Sequence, residues 1–191
     1  MTDLTFQCEC GQLTGLLVNA SPTLGNHLIC YCDDCQRFAR YLGHEEKWLD
    51  EWGGTDIYQV PPANIHIDSG AENLRCVRVK NKGIYRFYAN CCRTPIANIP
   101  RYKIPLAGIP TRIIHGENKE ALVGPVTYTV MGSFANGSPP SQPHPKFSVG
   151  ALMKVLIFVL KKKLKGSNTP TPFFTPDGKA VSPPEKIADK D

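Results

Sequence analysis

Cys30-Tyr31-Cys32-Asp33-Asp34-Cys35 is the stretch that decides how this chain reads. Three thiols fall within six residues, where a β-type run (His27 to Cys32) gives way to a turn. That spacing lets one short segment wrap a single ion, and thiolates suit zinc and other thiophilic metals. Two further groups flank it, Cys8-Glu9-Cys10-Gly11 upstream and Cys91-Cys92 downstream. An intramolecular disulfide across Cys-x-Cys is strained, so the clusters read as ligands. Seven thiols divide naturally into a closed site of four and an open site of three. Cys8, Cys10, Cys91 and Cys92, distant in sequence, would staple the N-terminal strands to the strand ending near residue 90. Cys30, Cys32 and Cys35 would hold a second zinc with one position left for water or substrate, the pattern of a catalytic site. Two purely structural sites, or one such site and reduced core cysteines, form the plainer alternative. Iron or another thiophilic metal satisfies the same donors. The eighth cysteine, Cys76, lies mid-strand between Arg75 and Val77 and reads as a buried thiol.

The rest of the 191 residues fits one domain. Gly and Pro together make up 33 positions, an excess that favours turns over a helical bundle. The formal charge of +5 is local. Residues 1–150 hold 14 Lys/Arg against 13 Asp/Glu, whereas residues 151–166 hold five lysines and no acid. This distribution argues against a nucleic-acid-binding face. The N-terminus lacks a basic and apolar leader, and the longest apolar run, Val155 to Leu160, is far short of the ~20 residues of a membrane span. A soluble, cytoplasmic protein is expected.

Short strands are expected over Thr5–Cys8, Gln12–Val18, His27–Cys32, Asp56–Val60, Asn64–Ile67, Leu74–Lys80, Ile84–Ala89 and Val126–Met131, punctuated by glycines. Gln36 to Leu42 suits one or two helical turns, and residues 99–110, with three prolines, suit an irregular loop. The expected layout is a zinc-binding β domain over 1–132, a Pro/Ser/Gly-rich connection over 133–148, an amphipathic helix over 149–166 and a Pro-rich tail over 167–191. On the helix, Leu152, Val155, Leu156, Val159 and Leu160 share one face, which should pack on the domain. Weak contact with an anionic membrane surface is the second reading of this helix. In the tail, Phe173-Phe174 can dock on the body, Thr175-Pro176-Asp177-Gly178 fits a type I turn, and residues 183–191 read as disordered.

The ordered motifs Cys8-Glu9-Cys10-Gly11 and Cys30/Cys32/Cys35 resemble those of the glutathione-dependent formaldehyde-activating enzyme / centromere protein V family over about residues 4–130. That family's late motif is Cys-x-x-Cys-Gly-Thr, and here Ala89-Asn90-Cys91-Cys92-Arg93-Thr94 stands in its place. With Cys92 aligned to the second late cysteine, Ala89 falls on the first, Cys91 becomes the substitute ligand, and Arg93 replaces the glycine. The resemblance implies a mainly β fold of short antiparallel strands, often called a β-tent, with two zinc ions per chain. It also implies a carbon–sulfur lyase joining glutathione and formaldehyde to S-hydroxymethylglutathione, or the reverse, so the expected partner is a small-molecule thiol such as glutathione. Arg37, Arg40 and His44 follow the claw and are candidates for holding a substrate; His27 is a candidate proton shuttle. Asp33 and Asp34 should cap turn amides or stay solvated. The competing class is a non-catalytic zinc-stapled module that binds a protein or membrane surface.

Overall fold

A computed structural model of the chain describes residues 2–187. It is mainly β, with antiparallel sheets, a C-terminal helix and cysteine clusters able to bind zinc. The smaller sheet contains β1 (Thr2–Gln7), β2 (Thr14–Ala20), β5 (Ile65–Ser69) and β10 (Ile114–His115), in the order β10-β1-β2-β5. Its strands alternate as half-buried strands should: Leu4 and Phe6 point inward between exposed neighbours, and Leu17 points inward between half-buried ones. Gly15 is required in β2, because a Cβ there would lie 2.1 Å from the His66 carbonyl oxygen and 2.4 Å from the Phe6 ring.

The larger sheet is built from β3 (Asn26–Cys30), β4 (Thr55–Val60), β6 (Leu74–Arg78), β7 (Tyr85–Ala89), β8 (Thr94–Ile99), β9 (Ala107–Pro110), β11 (Tyr128–Val130) and β12 (Glu185–Lys186). Its order is β11-β3-β4-β9-β8-β7-β6-β12. The two outermost pairings, β11 with β3 and β12 with β6, are parallel; the inner ones are antiparallel. One face of this sheet meets the smaller sheet in the main core, where Leu4, Phe6, Leu17 and Ile65 pack with residues such as Val60, Phe87 and Ile109. The other face is covered by α1 (Asp33–Leu42), whose Phe38 and Leu42 pack on Val77, Val79 and Tyr88. A sheet buried on both faces loses the apolar/polar alternation in its central strands. All four residues of β9 are buried accordingly.

Three expectations need correction. Residues 99–110 are not simply an irregular loop, since β9 pairs with β4 from Ile57↔Pro110 to Val60↔Ala107. Its one proline, Pro110, is tolerated because it ends the strand. The helix after the claw starts at Asp33, not Gln36, and runs to Leu42, where Gly43, with a left-handed φ of 79°, caps it. Asp33 and Asp34 therefore lie in its first turn, where carboxylates favour the helix dipole. Finally, the chain remains ordered through residues 183–187: Glu185 and Lys186 pair with Val77 and Arg78, and Ile187 is buried against Phe38 and Leu42. Residues 188–191 lie outside the described part.

The tail is an integral part of the core. Phe173 and Phe174 are buried against Phe87, with ring centroids 4.9 and 5.8 Å away, and Tyr102 closes over Phe174 at 5.7 Å. The expected turn follows them, with the Gly178 amide donating to the Thr175 carbonyl at 2.8 Å. Two short helices, α2 (Glu45–Trp48) and α3 (Lys119–Val123), precede α4 (Val149–Leu164). Ser148 caps α4, its hydroxyl accepting from the Ala151 amide at 3.1 Å. The face by which α4 docks differs from expectation. Ala151 and Phe158 are buried, whereas Leu152, Leu156 and Leu160 face outward, each more than half exposed. Among the described residues no helix is long and apolar enough to cross a membrane.

Candidate functional site

The sequence of β1, a tight turn at Gly11 and the start of β2 brings Cys8 and Cys10 together, and the β7–β8 turn delivers Cys91 and Cys92 to them. The Sγ–Sγ separations are 3.6 Å (Cys8–Cys10), 3.8 Å (Cys8–Cys91), 3.4 Å (Cys10–Cys91) and 3.8 Å (Cys91–Cys92). A tetrahedral ion with metal–sulfur bonds of about 2.3 Å places its sulfurs about 3.8 Å apart. All eight cysteines are free thiols, and these separations are far above the ~2.05 Å of a disulfide. The four sulfurs thus outline the edges of a tetrahedral metal site.

The backbone around this group is arranged for thiolates. The Leu13 amide donates to Cys8 Sγ at 3.3 Å, and the Thr94 hydroxyl lies 3.1 Å from Cys92 Sγ. Burial opposes ionisation of Cys92, but the Thr94 hydroxyl and neighbouring donors outweigh it and hold the thiol down to about 7. Burial and the hydrogen bonds of Cys10 and Cys8 push Cys91 up. Four thiols this close cannot all ionise unless a cation compensates them, and a metal ion bound there would supply that charge.

Arg93 explains how the turn accommodates a residue other than glycine. Its φ is 57°, the left-handed region that costs a side-chain-bearing residue roughly 1–2 kcal/mol. Its guanidinium donates to the Leu42 carbonyl at 3.1 Å and to that of Tyr41, and lies 4.8 Å from the Tyr41 ring. A cation on the last carbonyls of α1 offsets the strain and ties the first cysteine cluster to the helix that leaves the second.

The second group is Cys30, Cys32 and Cys35, whose sulfurs lie within 4.8 Å of one another. Cys30 ends β3, Cys32 occupies the N-cap position of α1, and Cys35 sits in the first helical turn. Among the described residues this group has three members, with no fourth Cys, His, Asp or Glu atom joining it. It forms part of the wall of a cavity of about 390 Å³. That size suits a small-molecule site, and Leu28, Ile57, Ile84, Leu106, Val130 and Phe134 make the lining mainly apolar. Gln36, buried in α1, donates to the Tyr31 and Phe134 carbonyls at 2.9 and 2.8 Å and so pins the loop carrying Phe134 beside the claw.

Arg86 is the residue that sequence reasoning missed. It is 1% exposed on β7, with both terminal nitrogens 3.7 and 3.8 Å from Cys35 Sγ and one donating to Asn98 Oδ1 at 3.2 Å. Hydrogen bonds from Cys30 and Cys32, reinforced by this guanidinium, hold the Cys35 thiol well below its ordinary value despite burial. The other two thiols move the opposite way. The bond from Cys30 pulls Cys32 down, but Cys35 and burial dominate and push it up to about 12. Cys30 rises well above its usual range through its bonds to Cys32 and Cys35 and through burial. A thiol drawn toward ionisation by a buried cation, beside two drawn the other way, is a cluster suited to exchange protons for a metal ion. The signal in the sequence was a cation inside an otherwise apolar strand, Tyr85-Arg86-Phe87-Tyr88-Ala89.

The proposed substrate-holding residues lie elsewhere. Arg40 bonds Gln36 at 3.1 Å and pairs with Glu45 at 3.5 Å, and His44 faces Glu46 at 3.9 Å. Neither these two nor Arg37 contributes to the cavity wall. Asp33 and Asp34 do line it, and Asp34 pairs with Lys80 at 2.9 Å at the rim. Cys76, as expected, is buried in the core.

A recognised sequence family matches residues 2–185 of this chain: a family of unknown function, DUF6151. The chain belongs to that family. No protein of curated function matches this chain. Among solved structures, a Rhodobacter sphaeroides protein is similar at 18% identity, covering 60% of this chain and 90% of its own, with a TM-score of 0.39.

His27 is also placed away from the cavity. It bridges strand and loop, with Nδ1 2.7 Å from the Gly124 carbonyl and Nε2 2.7 Å from Asp56 Oδ1. Burial works against its protonation, but Asp56 and the Gly124 carbonyl outweigh it and raise the pKa. A raised histidine pKa adds stability that is complete below the unfolded-state value near 6.5 and fades as pH rises through the folded value. Replacing His27 with Gln should therefore destabilise the protein more at pH 5.5 than at pH 9, by under about 1 kcal/mol for so exposed a partner as Asp56. Urea unfolding of both proteins at the two pH values checks the sign; an equal loss at both would contradict it.

Proposed function

We propose that this protein is a zinc protein with one structural and one open site, and that the open site acts on a thiol adduct as a carbon–sulfur lyase. The observation carrying this reading is the three-thiol cluster, which no fourth ligand side chain joins among the described residues, set in the wall of an apolar cavity. Zinc bound there would supply a coordination position at which an incoming sulfur is held as a thiolate. Three thiolates around a divalent ion leave a net charge of −1, and Arg86, 1% exposed behind Cys35, balances it. The reaction would be R–S–CH2–OH giving R–SH and formaldehyde, or the reverse. The C–S bond breaks, its electron pair stays on sulfur, and the hydroxyl proton leaves as the carbonyl forms. Asp34, fixed by Lys80 at 2.9 Å, is the wall carboxylate that would accept this proton. The apolar wall would exclude water from the adduct.

The lining favours a substrate other than glutathione. Both cations of the cavity are engaged: Lys80 pairs with Asp34, and Arg86 with Cys35 and Asn98. The two carboxylates of glutathione would find no partner there, and Asp33 and Asp34 would repel them. An uncharged thiol with an apolar body fits better than the S-hydroxymethylglutathione that the sequence resemblance implies.

Cys32→Ser should leave a folded protein that has lost one of two zinc ions and its activity, with stability reduced by about 1–2 kcal/mol. Metal analysis and turnover of benzylthiol–formaldehyde adduct beside the glutathione adduct provide the readouts. A kcat/KM at least about tenfold higher for the benzyl adduct is expected. Absence of turnover of either adduct by the zinc-loaded protein would overturn the lyase reading, and a preference for glutathione would overturn the substrate class.

A further inference from the structure

The C-terminal helix has two apolar faces, and only one is used. At 100° per residue, Ala151, Val155 and Phe158 cluster on the side turned toward the body. Ala151 packs with Leu28, Ile57 and Val130, beside the cysteine claw. On the opposite side Val149, Leu152, Leu156, Leu160 and Leu164 form a ridge along the helix, with exposures of 79, 56, 56, 57 and 82%, and Lys163 rises from the same face in the last turn. Exposed apolar side chains scattered singly are ordinary, but a contiguous ridge along a whole helix marks an interaction surface.

Its surroundings define the partner. No Asp or Glu occurs anywhere between Glu120 and Asp177, while Lys154, Lys161, Lys162 and Lys163 lie on this helix and Lys165 caps its C-terminus. Lys154, Lys161 and Lys165 fall on the flank between the docked face and the ridge, and line a cleft with Asn26 and Thr127. A second copy of the chain would oppose one such lysine flank with another, and this segment has no acids to relieve the repulsion. Sixteen residues are too few to span a bilayer. An apolar ridge with long cationic side chains beside it matches the boundary of an anionic lipid layer, where leucines enter the acyl region and lysines extend to the headgroups.

We infer that the outward face of α4 docks this protein on anionic membrane surfaces, with the helix lying in the plane of the interface. The docked face of α4 holds the orientation, so the ridge is presented ready-made. This surface is independent of the metal chemistry proposed above.

The test is co-sedimentation of the full, metal-loaded chain with vesicles of phosphatidylcholine containing 30% phosphatidylserine, alongside vesicles of phosphatidylcholine alone. Binding to the anionic vesicles at least about tenfold tighter, and weakened in 0.5 M NaCl, is expected. The double substitution Leu156→Asp and Leu160→Asp changes only exposed side chains, so metal content and circular dichroism should be retained while vesicle binding falls at least about tenfold. Three results would overturn the proposal: no sedimentation of the wild type with anionic vesicles, unchanged binding of the folded double variant, or a wild-type dimer in sedimentation velocity that the double variant converts to monomer.

Discussion

Cys8→Ser is expected to abolish cooperative folding, or to lower stability by several kcal/mol if a compact state survives. Cys8 is fully buried, and its sulfur lies 3.6 Å from Cys10 and 3.8 Å from Cys91, so it anchors the cluster that joins β1 to the β7–β8 turn. Binding of a structural zinc by four thiolates contributes about 10–16 kcal/mol of apparent free energy, comparable with or larger than the whole stability of a domain. A serine at Cys8 removes one ligand and leaves the Leu13 amide facing a hydroxyl in place of a sulfur. Cys76 supplies the control. It is as deeply buried but belongs to no cluster, so Cys76→Ala should cost only about 1–2 kcal/mol and keep both metals. Denaturant unfolding with metal analysis checks the contrast, and similar losses for the two variants would contradict the structural assignment. Chelation should follow the same logic, with the open three-thiol site stripped first and unfolding delayed until the four-thiol site empties.

Arg86→Met is the second large effect. The guanidinium is the buried cation beside Cys35, and no solvent can replace it at 1% exposure. Breaking a buried charge pair typically costs about 3–5 kcal/mol, because the partner is left uncompensated. A three-thiolate ion without its counter-charge should also bind metal about 10–100-fold more weakly, as happens when outer-sphere partners of metal ligands are removed. Arg86→Lys should restore charge without the two-pronged contact to Cys35 and Asn98, and so recover only part of the affinity. Chelator competition for the second metal measures this. Unchanged affinity in Arg86→Met would mean that the cation serves packing alone.

These effects trace back unequally to the sequence. The claw was legible because its three thiols are neighbours in the chain, and local spacing survives folding. The four-thiol partition was legible by grouping, since two close pairs remained once the claw was set aside. Arg86 was hidden because its partner Cys35 is 51 residues away, and no local pattern encodes that contact. Central strands of the larger sheet lack alternation since both their faces are covered, which left β9 looking like a proline-rich loop. The docking face of α4 could not be chosen from periodicity, because apolar residues surround the helix and its buried side, Ala151 and Phe158, is smaller than its exposed one. The parallel pairing of Glu185 and Lys186 with β6 carries no compositional signature at all.

Two cysteine groups able to hold metal ions form the centre of this picture, one of four thiols and one of three, and the proposal is that the first is closed and the second open. Crystals of protein prepared under reducing conditions with zinc, measured on both sides of the zinc absorption edge, test it most directly. Two anomalous peaks per chain are predicted, one enclosed by Cys8, Cys10, Cys91 and Cys92, the other held by Cys30, Cys32 and Cys35 with a non-protein fourth ligand on the cavity side. A single peak, or a protein side chain closing the second site, would contradict it.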